Sequence, residues 1–527
     1  MNQNHFKVWA AILLLAPLFS ACGGGGASGG NPPPTNPDWV LNVDITKSGA
    51  PINPALLGHY DLSGALYHYD DVTGLMDAMQ AIGFPEWRIG VGRWEIGSQL
   101  LPALTDGTIC PQDPMLTVPA GTSDTDLINA RSWFTDTGST VTLADTMEDS
   151  RYNLAYVRDT IDTAMAFGAA PYVSIDTMPL ALAANRTAHR TDCADTFMNA
   201  VTNNAPADNL VFSQAVKGLV QRVVEGSGGE PGRKVSHWEI WNEPELPSFW
   251  QPGFPAGTSA FFDMATTALI ALNDYRATST NPDAQALKFG LGSFANAATA
   301  AAVIEAYDAA ATPIPLDFIS FHAYHNDPLD IRADIAMVAD AAAASSRYQN
   351  LELVLAEWGS DLATTVSNPA YANSMSPPLL MSSVIAMGAA LGLDRSHHAL
   401  FYDYHSAVTL GLVDNSGNPK PLYRAYELLH QMIGDGNVML VPDNAPGNQS
   451  GDWGNVLVTK DSAGIVRALF INRDNADHIA RVDNHGAALT SIEISTFSDS
   501  SQPLQRQNTT TTDIEVPAHS MVMAAFL

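Results

Sequence analysis

Two glutamates close two short apolar runs in this chain. Residues 235–241 form the first run, which leads into Glu243 and Pro244. Residues 351–357 form the second run, which ends at Glu357. Because proline cannot donate a hydrogen bond to a sheet, a strand must stop or turn away before Pro244. Two carboxylates at the open ends of strands can act as a general acid and as a nucleophile or base, which is the pair of groups that glycoside hydrolysis requires.

Polar residues that could support the two carboxylates are predicted at the same ends of other strands. Arg88 lies near the end of the second apolar run and is placed to keep one carboxylate ionised. His322 and Tyr324 end the sixth run and are placed to hydrogen-bond the nucleophile. A general acid needs a raised pKa and a nucleophile must stay ionised, so the two glutamates need different surroundings.

The alternation of side chains along a strand decides which residues share a face with Glu243. Alternation places Glu239 and Trp241 on that face, with Glu239 deeper. It turns Asn242 away, so Asn242 reaches a substrate only if the strand bends before it. Aromatic side chains at strand ends either stack on sugar faces or pack in the core. Both interpretations stay open for Trp94, Trp241, Trp250, Trp358, Tyr402 and Tyr404.

A repeating order of elements must position these residues. Between residues 52 and 433 a short apolar run is followed by an amphipathic helix eight times. The runs cover residues 56–60, 86–91, 171–175, 235–241, 287–291, 316–322, 351–357 and 398–402. Continuous apolar strands that alternate with helices indicate a parallel sheet, and eight units indicate an α/β fold closed into a (β/α)8 TIM barrel. In such a barrel, the strand ends that carry the polar residues meet at one face.

The chain changes character after residue 433. Helical periodicity stops there, and short strands separated by glycine, asparagine and aspartate follow, which predicts an accessory β-sandwich over residues 434–527. Residues 39–51 hold an alternating strand that is predicted to join this sandwich. The barrel is thus predicted over residues 52–433. Residues 92–150 form a long polar insertion after the second strand, and loops of that length commonly carry function.

The overall charge restricts the partners. The 527 residues include 25 Lys+Arg against 55 Asp+Glu, a formal net charge of −30. Such an acidic surface repels phosphate backbones, which argues against nucleic-acid binding. A neutral or cationic ligand is compatible with this charge. With 46% hydrophobic and 15% charged residues, the composition is that of a soluble globular chain.

The N-terminus has the features of an export signal. Lys7 precedes an apolar run, residues 8–19, that is too short to span a membrane as a helix. Small residues before Cys22 and glycines after it resemble a bacterial lipoprotein signal. This predicts cleavage of residues 1–21, lipidation of Cys22 and a flexible tether over residues 22–38. The expected location is the bacterial cell envelope, periplasmic or outward-facing, with the lipid as the membrane anchor; plain secretion is the alternative.

Two further cysteines, Cys110 and Cys193, remain after Cys22. In an exported chain a pair of cysteines is more often bridged than catalytic, which predicts a disulfide between them. Two unrelated thiols are the alternative, because sequence alone cannot show that the two residues are close in space.

Signals for other chemistries are weak. Residues 290–295 contain a Gly-x-Gly pattern with Asp317 downstream, which resembles a dinucleotide-binding loop, but no second nucleotide-binding half accompanies it. The histidines do not have the spacing of a metal site. No G-x-S-x-G motif of a serine hydrolase occurs. We therefore predict no cofactor and no metal.

Several motifs resemble those of one glycosidase family. The sequence Trp-Glu-Ile-Trp-Asn-Glu-Pro, residues 238–244, is similar to the strand-four signature of the (β/α)8 glycosidase clan that carries paired glutamates on strands four and seven. Residues 249–250 (FW), 317–324 (DFISFHAY), 411–413 (GLV) and 420–421 (KP) resemble glycoside hydrolase family 39, which includes β-xylosidases and α-iduronidases. The resemblance spans residues 52–433, and the accessory sandwich fits it.

The resemblance implies roles for individual residues. It implies that Glu243 is the acid/base, that Glu357 is the nucleophile and that Asn242 contacts the sugar 2-hydroxyl. The supporting residues would be Arg88, His322 and Tyr324. The implied reaction is hydrolysis with retention, by double displacement, of carbohydrates that contain xylose, arabinose or uronate. Two alternatives stay open: an endo-acting depolymerase of exopolysaccharide, and a sugar-binding lipoprotein without catalysis.

Overall fold

A computed structural model describes most of the chain between residues 37 and 527. The described residues are 37, 39–60, 75–91, 132–176, 178–186, 204–247, 249–251, 253–403, 409–414, 416–434, 436–441, 456–484, 491–500 and 503–527. Cys22, Cys110 and Cys193 lie outside these residues, as do the export signal and nearly all of the tether. The lipidation and the disulfide therefore stay predictions.

Eight parallel strands close into a barrel, which confirms the predicted (β/α)8 fold class. In chain order they are β1 Gly58–Tyr60, β2 Glu86–Val91, β3 Ala170–Ile175, β4 His237–Ile240, β5 Lys288–Phe294, β6 Phe318–Tyr324, β7 Glu352–Gly359 and β8 Arg395–Ala399. Each strand pairs with the next, and β8 pairs with β1 to close the ring. Because the strands are parallel, all their carboxyl ends lie at one face.

Helices follow the strands and cover the outside of the barrel. They are α1 Leu75–Ile82, α2 Ala155–Ala166, α3 Asn209–Glu225, α4 Thr258–Thr278, α5 Ala297–Ala309, α6 Pro328–Ala344, α7 Ser376–Ala390 and α8 Pro421–Met432. Shorter helices cover Pro282–Gln285, Leu362–Ser367 and Pro369–Ala372. None of the helices in the described part of the chain is long and apolar enough to cross a bilayer.

Alternation along the strands separates a hydrophobic layer from a polar interior. The side chains of Trp238, Ile240 and Leu291 are fully buried in the large core that also includes residues of the helices. A small apolar cluster that includes Tyr172 and Phe318 is separate from this core.

Strand β8 begins at Arg395 rather than at residue 398, and it ends at Ala399 rather than at residue 402. Its first residues are polar, and each makes a hydrogen bond or an ion pair with a neighbouring element. Ser396 Oγ donates to the carbonyl oxygen of Leu56 at 2.6 Å. His397 Nε2 lies 3.0 Å from Oε1 of Glu86, which also pairs with Arg395. Because these first residues are polar, a prediction based on apolar runs places the start of the strand too late in the chain.

A second charged group lies at the same end of the barrel, where the strands begin. Glu352 on β7 pairs with His237 on β4 at 3.0 Å and with Lys288 on β5. Burial alone would raise the pKa of Glu352, but the bonds from His237 and Lys288, together with the charge of Arg395, lower it to about 2. These pairs join three strands that are distant in sequence.

We expect Glu352→Gln to lower the free energy of unfolding by about 2–3 kcal/mol at pH 7. The folded pKa of about 2 lies below the ordinary value of 4.5. The contribution of Glu352 is therefore complete above pH 4.5 and is lost as the pH falls toward 2, so wild type and variant should converge there. Urea denaturation at several pH values measures this. Glu427→Gln, which breaks a partly exposed pair with Arg424, is the control and should change stability by less than about 0.5 kcal/mol. A loss that does not change with pH would contradict the prediction.

The C-terminal region forms two layers, a larger antiparallel sheet and a smaller sheet in which Trp39–Val43 pairs in parallel with His478–Asn484. A larger sheet contains Val438–Met439, Val456–Lys460, Val466–Asn472, Ser520–Phe526, Ile492–Phe497 and Gln505–Thr509, and Ala50–Pro51 lies at its edge. A smaller sheet contains Trp39–Val43, His478–Asn484 and Asp513–Val516. Trp39, Val456 and Phe470 belong to one apolar cluster that both sheets contribute to. Two strands were not predicted, His478–Asn484 and Gln505–Thr509, because their sequences are mostly polar.

The larger sheet packs directly on the barrel. Leu457, Leu469 and Met523 belong to the same buried core as the barrel helices. Ser382 on α7 donates through Oγ to Sδ of Met521 at 3.2 Å. The barrel and this sheet therefore share one continuous hydrophobic core.

Candidate active site

The chain bends sharply where β4 ends. Trp241 and Glu243 have φ angles of 77° and 43°, in the left-handed region that residues other than glycine rarely adopt. Two backbone hydrogen bonds hold the bend: Trp241 N–H donates to the carbonyl of Ile175 at 2.9 Å, and Glu243 N–H donates to the carbonyl of Ser293 at 2.9 Å. The simple alternation expected over residues 239–243 is therefore wrong. The bend brings Asn242 into the site.

Trp241 does not face the site, contrary to the alternation pattern. Its side chain is fully buried, its Nε1 donates to the carbonyl of Phe249 at 3.0 Å, and its ring meets Trp250 edge-on at 5.2 Å. The positive φ angle turns the Trp241 ring away from the face of β4 that carries Glu239. The ring lies in the hydrophobic core beneath the loop that follows β4. Trp250 is also fully buried. Both tryptophans stabilise the loop that carries Glu243, and neither is free to stack on a sugar.

The structure brings the two predicted catalytic glutamates together. Oxygen atoms of Glu243 and Glu357 and a ring nitrogen of His322 all lie within 4.8 Å of one another. His322 Nδ1 lies 2.8 Å from Oε1 of Glu243 and 3.6 Å from Oε2 of Glu357. The expectation that His322 bonds the nucleophile is thus wrong: the shorter contact is to the predicted acid/base. His322 can bond that carboxyl and hold its orientation.

Glu357 has a donor on each oxygen. Arg88 Nη1 donates to Oε1 at 2.9 Å, and the hydroxyl of Tyr324 donates to Oε2 at 3.0 Å. Glu357 is 8% exposed, so it is almost buried but keeps some contact with solvent. Hydrogen bonds and an adjacent cation favour the ionised form of a carboxylic acid. This environment suits a nucleophile that must stay charged.

The side chain of Arg88 on β2 forms hydrogen bonds with residues of β4, of the bend after β4 and of β7. Its Nε and Nη2 donate to Oε2 of Glu239 at 3.1 and 2.8 Å. Its Nη2 also donates to Oδ1 of Asn242 at 3.1 Å and to Oγ of Ser293 at 2.5 Å. Burial would lower the pKa of Arg88, but the carboxylates of Glu239 and Glu357 raise it well above its usual range. The guanidinium is therefore a fixed positive charge.

Glu239 is a supporting residue whose role the sequence did not reveal. It is fully buried below Glu243, and it accepts hydrogen bonds from Tyr172 at 2.8 Å and from Ser293 at 2.6 Å. Burial alone would raise the pKa of Glu239, but Arg88 and the neighbouring hydroxyl groups hold it at about 2. Its permanent charge compensates that of Arg88, which is 1% exposed. The position of Glu239, four residues before Glu243 on a strand, was the available signal.

The remaining predicted aromatic residues that the structure describes are buried beside the site. Trp358 is 1% exposed and meets His398 edge-on at 5.2 Å. It follows Glu357 on the strand and therefore points into the helix layer. Tyr402 belongs to the hydrophobic core and bridges to Val413 through its backbone. Stacking on a sugar is not available to either side chain in this arrangement. Trp94 and Tyr404 lie outside the described residues.

Residues 85–461 match the model of glycosyl hydrolases family 39. The chain belongs to this family. The match runs from the start of the second barrel strand into the accessory sheet, so it includes both glutamates. Membership makes the protein a glycosidase with a carbohydrate substrate, and it confirms the resemblance found in the motifs. No curated protein sequence matches the chain significantly.

Solved structures with a similar fold include glycosidases of several families. A glucosidase from Croceicoccus marinus has a TM-score of 0.64 at 14% identity, with 93% of this chain and 99% of that chain covered. The GH51 alpha-L-arabinofuranosidase from Thermotoga petrophila RKU-1 has a TM-score of 0.58 at 14% identity, with coverages of 93% and 100%. The GH30 endoxylanase from Clostridium papyrosolvens C71 has a TM-score of 0.56 at 12% identity, with coverages of 92% and 99%. At these identities the likeness concerns the fold.

The site of this family 39 glycosidase contains side chains of the types that ligate metal ions. Among the described residues, Glu243, His322 and Glu357 form the group of potential ligands that are close enough to share an ion. The guanidinium of Arg88 already lies 2.9 Å from one of these carboxylates, so a cation there would be repelled. The geometry therefore favours two working carboxyl groups over a metal centre.

A fourth carboxyl group, that of Glu245, follows Glu243 by two residues in this family 39 chain. Glu245 is partly buried, and its Oε2 atom has no hydrogen-bond partner among the described residues. Asn296, the residue before α5, approaches its other oxygen at 3.5 Å. Burial, together with the nearby charge of Glu243, raises the pKa of Glu245 to about 7. The carboxyl group therefore changes its charge near neutral pH.

Replacing Glu245 with glutamine is expected to stabilise the protein at alkaline pH by roughly 1–3 kcal/mol. The folded pKa of about 7 lies above the ordinary 4.5, so wild type loses stability as the pH rises from 4.5 through 7. Glutamine has no such loss, and the two proteins should differ little at pH 4. Thermal melting between pH 4 and pH 9 measures the difference, with the exposed Glu305→Gln on α5 as the control. A constant difference at all pH values would contradict the assignment.

Proposed function

We propose that this glycosidase hydrolyses its substrate with retention, by double displacement, with Glu243 as acid/base and Glu357 as nucleophile. The observation that carries the proposal is the approach of the two carboxyl groups, whose oxygens lie within 4.8 Å of each other. Retaining enzymes separate the two groups by about 5–5.5 Å, whereas inverting enzymes leave about 6.5–9.5 Å for a water molecule. The short separation therefore supports direct attack by one carboxylate on the sugar.

In the first step, one oxygen of Glu357 attacks the anomeric carbon of the sugar. The bond from that carbon to the leaving-group oxygen breaks, and Glu243 gives its proton to this oxygen. The products are a glycosyl ester on Glu357, the free alcohol and an ionised Glu243. Arg88 and Tyr324 hold Glu357 in its ionised form before the attack. His322 orients the carboxyl group of Glu243.

In the second step, Glu243 acts as the base. It takes a proton from a water molecule, whose oxygen attacks the anomeric carbon and displaces the carboxylate of Glu357. The sugar leaves with its original anomeric configuration, and both glutamates return to their starting protonation states. Asn242, turned inward by the bend and bonded to Arg88, is placed to contact the hydroxyl group next to the anomeric carbon.

The charge of the site supports a neutral sugar as the substrate. The ionised carboxylates of Glu357 and of the deeper Glu239 surround the single positive charge of Arg88, whose guanidinium donates to both. A uronate carboxylate would be repelled by this set. We therefore propose a glycoside of xylose or arabinose, in preference to a uronide. Proteins named arabinofuranosidase and endoxylanase share the fold at 14% and 12% identity, which is compatible with this choice.

Proton NMR of the first product tests the mechanism. The purified protein is incubated with aryl glycosides of xylose, arabinose and glucuronic acid in both anomeric forms, and the anomer released before mutarotation is recorded. Retention on a pentoside is the expected result, and release of the opposite anomer would refute double displacement. If aryl glycosides resist but a polysaccharide loses viscosity, the endo-acting alternative holds. Binding of sugars without cleavage would indicate the non-catalytic alternative.

A further inference from the structure

We propose that Ser293, at the carboxyl end of β5, is a positioning residue that joins the acid/base and the support of the nucleophile into one rigid unit. The proposal rests on the two-glutamate mechanism proposed above. It concerns a residue whose role in catalysis no motif in the sequence indicates. It predicts that the hydroxyl group of Ser293 is needed for catalysis although it lies too deep to touch the substrate.

The polar groups of Ser293 are all used within the site. Its Oγ donates to Oε2 of Glu239 at 2.6 Å and accepts from Nη2 of Arg88 at 2.5 Å. Its backbone N–H donates to Oγ of Ser320 on β6 at 2.7 Å. Its carbonyl accepts the N–H of Glu243 at 2.9 Å. One residue therefore contacts the backbone of the acid/base and the arginine that holds Glu357.

The backbone of Ser293 is held in a conformation that glycine would adopt more easily. Its φ angle is 40°, and that of Gly292 before it is 129°. A left-handed residue other than glycine costs of the order of 1–3 kcal/mol and persists only when its surroundings hold it. The side chain is completely buried, so exposure to solvent does not account for a serine here. The feature that distinguishes serine from glycine at this position is the bonded Oγ.

The positions of the two catalytic groups are coupled through this residue. A shift of Ser293 would move the N–H contact of Glu243 and the Oγ contact of Arg88 together. Because Arg88 also donates to Glu357, such a shift would change the relative placement of both carboxyl groups. Misplacement of reacting groups by about 1 Å can cost on the order of 100-fold in rate. A serine with only a structural role would alter stability without changing the reaction in this way.

Two substitutions separate the effect of the Ser293 hydroxyl group from the effect of its backbone conformation. Ser293→Ala removes Oγ and keeps the constrained φ angle, whereas Ser293→Gly removes Oγ and relieves the constraint. We expect kcat to fall about 10–100-fold in both variants, with little change in KM. The acidic limb of the pH profile of kcat/KM should move to higher pH. Without the Ser293 hydroxyl group, Arg88 is held less firmly and stabilises the ionised form of Glu357 less well. Ser293→Gly should be the more stable of the two.

Ser396→Ala provides the matched control. Ser396 is a fully buried serine on β8 whose hydroxyl group donates to the backbone carbonyl of Leu56 rather than to a catalytic group. This variant should lose stability but keep the kcat and the pH profile of the wild type. If it shows the same loss and the same shift, the effect is a general one of buried barrel serines and the proposal is wrong.

The outcome for Ser293 can be separated from the outcome for the mechanism. The kinetics of the variants are compared with the wild type on any glycoside that the wild type cleaves, whereas retention is judged on the wild-type product alone. A wild type that inverts refutes the mechanism. A retaining wild type whose Ser293→Gly variant keeps at least half its kcat and an unchanged pH profile refutes the role of Ser293.

Discussion

Glu357→Ala is expected to lower kcat by roughly 10⁴-fold or more, because no other group can form the covalent intermediate. Addition of azide should restore part of the activity and release a glycosyl azide. Since azide would attack in a single displacement from the side that Glu357 occupies, the product should have the anomeric configuration opposite to that of the substrate. The anomer is read from the NMR coupling constant of the isolated product.

The control for this prediction is Glu305→Ala, which removes an exposed glutamate on α5 and should leave kcat unchanged. Circular dichroism establishes that the Glu357→Ala variant is folded, since the substitution takes one acceptor from Arg88. The guanidinium keeps its bonds to Glu239 in the variant. A glycosyl azide of unchanged configuration, or activity that remains near that of wild type, would assign the nucleophile elsewhere.

Glu243→Ala is expected to produce a loss that depends on the leaving group. With an alkyl or sugar leaving group, which needs a proton, kcat/KM should fall about 10²–10⁴-fold. With a dinitrophenyl glycoside, whose leaving group needs no proton, the first step should be nearly as fast as in wild type and the glycosyl ester should accumulate. Steady-state and burst kinetics on a series of aryl glycosides measure both effects.

Azide distinguishes this variant from Glu357→Ala. In Glu243→Ala, azide would attack the ester already formed on Glu357, so two displacements occur and the glycosyl azide keeps the configuration of the substrate. The alkaline limb of the pH profile should also disappear, because the group that must stay protonated is gone. Equal losses on all leaving groups would show that Glu243 is not the acid.

The barrel and the two glutamates could be predicted because each is encoded locally. Apolar runs that alternate with amphipathic helices define parallel strands, and a glutamate at the end of two such runs must face the same mouth. Trp238, Ile240 and Leu355 are fully buried, as a continuous apolar strand requires. The general position of Arg88 follows from the same argument.

The details of the site depend on contacts that no local pattern encodes. The left-handed bend at Trp241 exists because Ile175 and Ser293, distant in sequence, accept its hydrogen bonds and those of Glu243. Alternation alone therefore misplaced Trp241 and Asn242. The pairing of Glu239 with Arg88 is likewise a contact between distant strands.

Other strands were missed or misplaced in the sequence analysis because many of their residues are polar. The first residues of β8 are charged or polar, and Arg395 and His397 both pair with Glu86 on β2. The edge strand Gln505–Thr509 is mostly exposed and has no apolar alternation to detect. In both cases partners from elsewhere in the chain, rather than the residues themselves, determine that a strand forms.

The shared core between the barrel and the larger C-terminal sheet restricts how this enzyme can be divided. Met521 and Met523 come from the last strand of the chain, yet they are buried in the same core as the barrel helices. A protein truncated after α8 would expose the apolar side chains of α7 that pack against this sheet. It would need the missing C-terminal segment to cover them. The accessory sheet is thus a structural part of the catalytic domain. A barrel that is transferred to another protein, by evolution or by design, would have to carry this sheet with it.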